Sequence, residues 1–444
     1  MRLDVAVIVA GLALSGGAPA QEQGKDQATD QAKVDKLVKA ANEVMKEVEE
    51  LRGRKFKKDV KKGVQTAAEL REFIEKKLFD EELPPEKLRR QQLLLQLLGL
   101  IPKDMDLKKT IMDVLLSQIG GFYDPSREAF FMMARAAEMG EAMNRMMIAH
   151  ELTHALDDQY YKLDPMMKAC QDEHDASFAV GAVIEGSATA LMQRWAIQFG
   201  MKKYDMMSQM RQAMKTEAEK AKVLLAAPPY FATLIARYMA GSHFLTKGKG
   251  PGALARLENG VDANAEKAFG KLPLSSEQIL HPAKYWNENK LDLPVRIAND
   301  DAFVAKLAEV VAGRLLERET YGEIHMALLT RSSERKLNMA AMNNASYWTN
   351  KAARGWGGDR AYLFAQGEAH GVVWVTLWDT EEDAEQFEKA HTRHYASQIA
   401  AHARAGRAAV FVYGFTKPPS AKAVLKLVEQ HAELVKGGQT FALK

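Results

Sequence analysis

Apolar residues recur at helical spacing through most of the first two thirds of the chain. Val34, Leu37, Val38, Ala41, Val44, Met45, Val48 and Leu51 share one face of a 3.6-residue period and predict a helix over 34–51. A short basic extended piece, Lys55 to Val60, follows. Thr66 with Glu69 three residues on is a capping-box signature, which predicts a helix from there to Phe79. Pro84-Pro85 breaks the chain, and helices are predicted again over Glu86–Leu98 and Leu107–Ile119. At Gly120 the pattern changes. Phe122-Tyr123, the turn Asp124-Pro125-Ser126-Arg127 and the run Ala129–Met133 predict a β-hairpin. Ala142 to Leu152 and residues 172–198 return to helix, as does an amphipathic stretch from Tyr204 to Leu225. A loop-rich section carries Lys247-Gly248-Lys249-Gly250-Pro251-Gly252, Pro273 and Pro282. Beyond Leu291, Arg360–Phe364, Val372–Leu377 and Ala409–Tyr413 read as strands, and Thr380 caps a helix. The predicted class is α+β and mostly helical: a helical domain over 34–290, then a smaller α+β domain over 291–444, a sheet packed by two helices.

The N-terminus has a different character. Arg2 precedes an apolar run from Val5 to Leu14, and Ala18-Pro19-Ala20 offers small residues where signal cleavage needs them. The run is far shorter than the roughly 20 residues that span a bilayer. Residues 1–20 are therefore expected to be an export signal and 21–33 a flexible polar leader, so the mature protein is expected in the periplasm or outside the cell. No later segment is apolar enough to cross a membrane. The 61 basic and 58 acidic residues leave a net charge of +3, too little over 444 residues to point to nucleic acid or an anionic membrane as partner. The single cysteine, Cys170, cannot form an internal disulfide and is read as structural.

Candidate chemistry begins at His150-Glu151-Leu152-Thr153-His154, an H-E-x-x-H motif. Residues four apart on a helix lie one turn apart on one face, so the two imidazoles can reach a single zinc ion. Glu151, about 100° round the helix from His150, is placed to act as general base on a water at the ion. A pentapeptide this short also occurs by chance, and a third ligand is needed. Glu185 supplies it, because a lone carboxylate among Phe178, Gly181, Ala182, Ala188 and Met192 is costly to bury unless a cation pairs with it. Gly181 and Ala188 are expected to let this helix approach the His150 helix closely. The alternative partner for Glu185 is an Arg or a backbone donor. His174 shares the Glu185 face but stands eleven residues away, roughly 16 Å along the axis, too far for the same ion. Asp157 is a candidate to accept a bond from an imidazole or a neighbouring group, with simple solvation as the alternative.

The run His150 to Gln159 followed by Glu185-Gly186-x-Ala188 resembles predicted bacterial metallopeptidases of the gluzincin type. Gly121-Phe122-Tyr123-Asp124-Pro125 is similar to the strand before their metal helix, and Ser275 to Tyr285 and Gly355 to Arg360 are similar to later blocks. Ser187 departs from the pattern, standing where an acidic residue belongs, and the 30 residues between His154 and Glu185 must hold a loop or short helix. The resemblance implies a zincin-like metallopeptidase core, Zn2+ held by His150, His154 and Glu185, Glu151 as base, and a peptide or protein substrate.

Three side chains are candidates to stabilise the oxyanion: His281, Tyr285 and Tyr238. His281 precedes Pro282 in a rigid loop, with a structural role bonded to backbone as its alternative. Gly355 to Arg360 reads as a tight turn into the next strand or as a binding loop. Two rival functions stand beside the peptidase: a non-catalytic relative that binds a peptide in the same groove, and a metal-free envelope scaffold.

Overall fold

Twenty-two residues from Gln31 to Arg52 form helix α1, whose Ala41, Val44, Val48 and Leu51 are buried. The computed structural model describes residues 9–12, 31–134, 140–171, 173–209, 211, 222–249, 260–331, 338–342 and 344–443. Most of the expected export signal and leader, the centre of the Tyr204–Leu225 stretch and Gly250 to Gly252 lie outside them. Helix α2 (Ala67–Ile74) starts at Thr66, where the capping box forms, and runs on as a π-helical segment over Glu75–Glu82. Helix α3 (Pro85–Leu97) opens with proline at its first turn, and α4 (Leu107–Gln118) is capped by Asp106.

The hairpin comes next. Strands β3 (Ile119–Asp124) and β4 (Ala129–Met133) pair antiparallel, with Phe122 opposite Phe131. Strand β2 (Lys61–Gln65) lies parallel to β4, and β1 (Val9–Leu12) lies antiparallel to β3, giving the order β1-β3-β4-β2. The extended piece thus falls a few residues later than its basic character indicates, because Lys61-Lys62-Gly63 gives no alternation to read.

Helices α5 (Glu141–Tyr161), α6 (Leu163–Cys170) and α7 (His174–Trp195) follow, α6 filling the interval between the two metal-site helices. Helix α8 (Thr233–Leu245) lies against α7, and α9 (Gly260–Gly270) and α10 (Ser276–Leu280) complete the helical part. Helix α5 is buried on nearly every side. Its Met147, Ile148, Leu152 and Ala155 join α1 and the hairpin in one apolar cluster.

The C-terminal sheet has five strands, in the order β6 (Arg314–Glu319), β7 (Trp356–Gln366), β8 (Ala369–Trp378), β10 (Ala408–Gly414), β9 (Ile399–Ala405). Its neighbouring strands pair antiparallel, with Leu363 opposite Val372. Both faces are covered. Phe303 and Leu307 of α11 (Asp300–Val311) and Val424 of α14 (Ala421–His431) pack with Tyr362, Val373 and Val375. Residues one step along the strands, Leu363, Val372 and Trp374, turn to the other side, where α12 (Gly322–Leu329) and α13 (Glu381–Tyr395) lie. A second sheet joins β5 (Val295–Ile297), β11 (Leu434–Lys436) and β12 (Gln439–Thr440). The fold is mixed α+β. Four helices rather than two flank the larger sheet, and β6 and β9 join the three strands read from the sequence.

Candidate metal centre

Helix α5 presents His150 and His154 one turn apart, and α7 crosses it to present Glu185. The three ligand atoms converge. His150 Nε2 lies 3.2 Å from Glu185 Oε2, His154 Nε2 lies 3.5 Å from the same oxygen, and the two Nε2 atoms are 2.9 Å apart. Ligands about 2.0–2.1 Å from a tetrahedral ion stand about 3.3 Å from one another, and these separations scatter round that value. The donor set fits a divalent cation for a second reason. Three electron-pair donors facing one point repel unless a cation or a proton lies between them, and His150, His154 and Glu185 are all buried.

Electrostatics acts in the same direction. Burial pushes the His154 imidazole down to about 4, which keeps it in the neutral form that binds metals. Burial alone would raise Glu185, but its hydrogen bonds to His150 and His154 and their charge hold it down at about 2. Glu151, between the two histidines in sequence, is 0% exposed. Tyr238 of α8 stacks on His150 with ring centroids 5.8 Å apart and an angle of 20°.

Two glycines bring Tyr238 there. A Cβ on Gly241 of α8 would fall on the carbonyl oxygen of Ala182 and lie 2.9 Å from the Cα of Gly186, so α7 and α8 cross backbone to backbone. Gly181 also faces α8, with the Arg237 side chain 3.2 Å from where its Cβ would stand. This corrects the expectation that Gly181 opens the way to α5.

Asp157 accepts from Arg52 Nη2 (2.5 Å) and from Ser187 Oγ (2.6 Å), a neighbouring group in each case, and not from an imidazole. Each imidazole's Nδ1 is buried without a hydrogen-bond partner among the described residues. Arg52, Asp262 and Arg194, which complete the charge cluster around Asp157, gave no signal in the sequence because their partners are more than 60 residues away.

Two expected oxyanion donors are committed elsewhere. The Tyr285 hydroxyl donates to the Lys271 carbonyl, and its ring packs on Phe244 and Trp286. His281 Nε2 pairs with Glu323 Oε1 at 2.8 Å. These contacts tie the block Ser275–Tyr285 into the fold and do not reach the histidine pair. His174 pairs with Glu319 and Tyr230. A second acidic trio, Glu277, Asp292 and Asp379, is bridged by the ammonium groups of Lys284 and Lys436, which fill a cation's place. Gly355 to Arg360 enters β7 through a bulge at Trp356 to Gly358. Its Asp359 accepts from the indole nitrogens of Trp356 and Trp374 and the backbone of Tyr321 and Gly322.

No helix among the described residues is long and apolar enough to cross a membrane. Over residues 309–442 the sequence matches a family described as a domain of unknown function, DUF8575, a stretch that holds the larger sheet and excludes His150, His154 and Glu185. No curated protein and no solved structure matches the chain.

Proposed function

We propose that this chain is an exported zinc peptidase of the gluzincin type with a zincin-like core. The observation that carries the reading is the convergence of His150 Nε2, His154 Nε2 and Glu185 Oε2 on one point. The hairpin β3–β4 immediately before the histidine helix and the sequence resemblance support it. His150, His154 and Glu185 would hold the ion, which when bound would supply a Lewis acid and a water of lowered pKa. Glu151 takes the proton from the attacking water and passes it to the leaving amine. Tyr238, stacked on His150, replaces His281 and Tyr285 as the candidate donor to the oxyanion.

One observation favours a second reading, a non-catalytic zinc protein: His150, Glu151 and His154 are closed off from solvent. The experiment that separates them is elemental analysis of the purified chain together with hydrolysis of an unfolded protein such as casein. The peptidase binds one zinc per chain and loses it in His154→Ala. Glu151→Gln keeps the zinc and loses about 10²–10⁴-fold in rate. Zinc without hydrolysis in the wild type leaves the non-catalytic reading, and no zinc sinks both. Sequencing the mature N-terminus tests export: Gln21 is expected first, in which case β1 (Val9–Leu12) leaves with the signal and β3, β4 and β2 remain as the sheet of the mature protein.

A further inference from the structure

Arg52, the last residue of α1, touches both helices that carry the converging side chains. Its Nη2 donates to Asp157 of α5 at 2.5 Å and to the hydroxyl of Ser187 on α7 at 2.9 Å. Ser187 in turn donates to Asp157 at 2.6 Å. Arg52 Nη1 reaches Asp262 of α9 at 3.1 Å, and Asp262 also takes Arg194 of α7. Two cations and two anions thus close a charge-balanced cluster among four helices. Nearer its middle, α1 braces the same pair: Glu43 accepts from Arg145 of α5 and Glu47 from the indole of Trp195 on α7, each at 2.7 Å.

We propose that Arg52 is a positioning residue for the metal centre, fixing the separation of the histidine helix from the glutamate helix and so setting the affinity of the ion between them. The inference rests on the metal reading above. His150 and His154 share one helix, so their spacing follows from helix geometry. Glu185 comes from another helix, and its distance from the pair depends on how α5 and α7 sit. The tie lies three residues past His154 and two past Glu185, close to both ligand sets. With Arg52 gone, Asp157 is a buried carboxylate with a single hydroxyl donor, and parting the helices to admit water becomes favourable. Coordination distances hold to about 0.2 Å, so a small shift of α7 is felt first as lost affinity.

The test uses the full chain and zinc alone as the ligand, with affinity read by competition against a chromophoric chelator and folding followed by circular dichroism. Arg52→Met is expected to weaken zinc binding about 10–100-fold, the range found for partners just outside a metal's own ligands. Arg52→Lys restores part of the loss, and Ser187→Ala, which removes only the bridging hydroxyl, weakens binding by less. Phe387→Leu, in the C-terminal core, lowers the melting temperature without moving the zinc affinity. If Arg52→Met and Ser187→Ala bind zinc as tightly as the wild type, Arg52 serves the fold alone and the inference is wrong. Should Arg52→Met fail to fold, Ser187→Ala decides by the same criterion. A wild-type chain that takes up no zinc overturns the metal reading itself, and the inference with it.

Discussion

Single side chains set the pH behaviour of this molecule as well as its chemistry. Asp175, in the first turn of α7, uses Oδ1 to accept from the backbone N–H of Ser276, while its Oδ2 is buried without a hydrogen-bond partner among the described residues. Burial pushes its carboxyl up to about 7; bonds from Ser276 oppose the shift, the charge of Asp359 adds to it, and that of Arg296 opposes it. A carboxyl whose folded pKa lies above its unfolded value contributes fully below the unfolded value and loses that contribution as pH rises through the folded one. Ionising Asp175 therefore destabilises the native state increasingly from about pH 4 to pH 7. Asp175→Asn keeps the Oδ1 acceptor and has no charge to bury. It is expected to stabilise the protein by on the order of 4 kcal/mol at pH 8, with the gain vanishing near pH 4. Urea denaturation at the two pH values checks this, and an equal effect at both would show that the Asp175 charge is not the cause.

Among the elements, the crossing of α7 and α8 carries the most constraint for the least side chain. Gly241→Ala places a methyl on the Ala182 carbonyl oxygen, backbone that cannot rotate away as a side chain would. The helices must part. A loss of about 3 kcal/mol, at the upper end of ordinary overpacking, is expected in denaturant melts. Because Tyr238 lies three residues before Gly241 and stacks on His150, zinc affinity should fall with it. Gly270→Ala, where an added Cβ meets nothing, is the neutral control. This crossing was not legible in the sequence. Gly186 and Gly241 are 55 residues apart, and neither position says which helix the other belongs to. The capping box at Thr66, the hairpin around Asp124-Pro125 and the facing histidines were legible, because each is set by residues within a few positions. Glu185 was legible too, through the cost of burying a carboxylate among apolar neighbours. Strands β6 and β9 were not legible because Arg314-Leu315-Leu316-Glu317-Arg318-Glu319 and Ile399 to Ala405 lie at the sheet's edges and lack the apolar runs of the inner strands.

Across the whole molecule, the helical part and the C-terminal sheets are joined by polar contacts whose charges nearly cancel. Lys284 Nζ lies 2.6 Å from Glu277, 2.7 Å from Asp292 and 3.0 Å from Asp379, while Lys436 of β11 lies 2.5 Å from Asp292 and 2.7 Å from Asp379. Three carboxylates thus share two ammonium groups drawn from both parts of the chain. Burial pushes Glu277 well above the ordinary carboxylate range, and the Lys284 charge is the largest influence opposing that. Lys284→Met removes this opposition and leaves a buried carboxylate beside two others. Breaking a buried pair from one side costs about 3–5 kcal/mol, a large share of the roughly 5–15 kcal/mol that holds a folded protein together. The deficit has a predictable pH dependence. With the lysine gone the folded pKa of Glu277 rises further, so the variant is weakest at neutral and alkaline pH and recovers as the medium approaches the unfolded carboxylate value near 4. Adding Glu277→Gln to Lys284→Met should restore much of the loss at pH 8, since the uncompensated charge is then gone. Calorimetry also reads how the parts are coupled. The wild type is expected to melt in one transition and Lys284→Met in two, the sheets separating from the helices once their shared cation is lost. A single transition at an unchanged temperature in Lys284→Met would mean that the remaining ties, the pairs His174–Glu319 and His281–Glu323 and the apolar cluster that Leu363 and Trp374 share with α7 and α8, join the two parts without it.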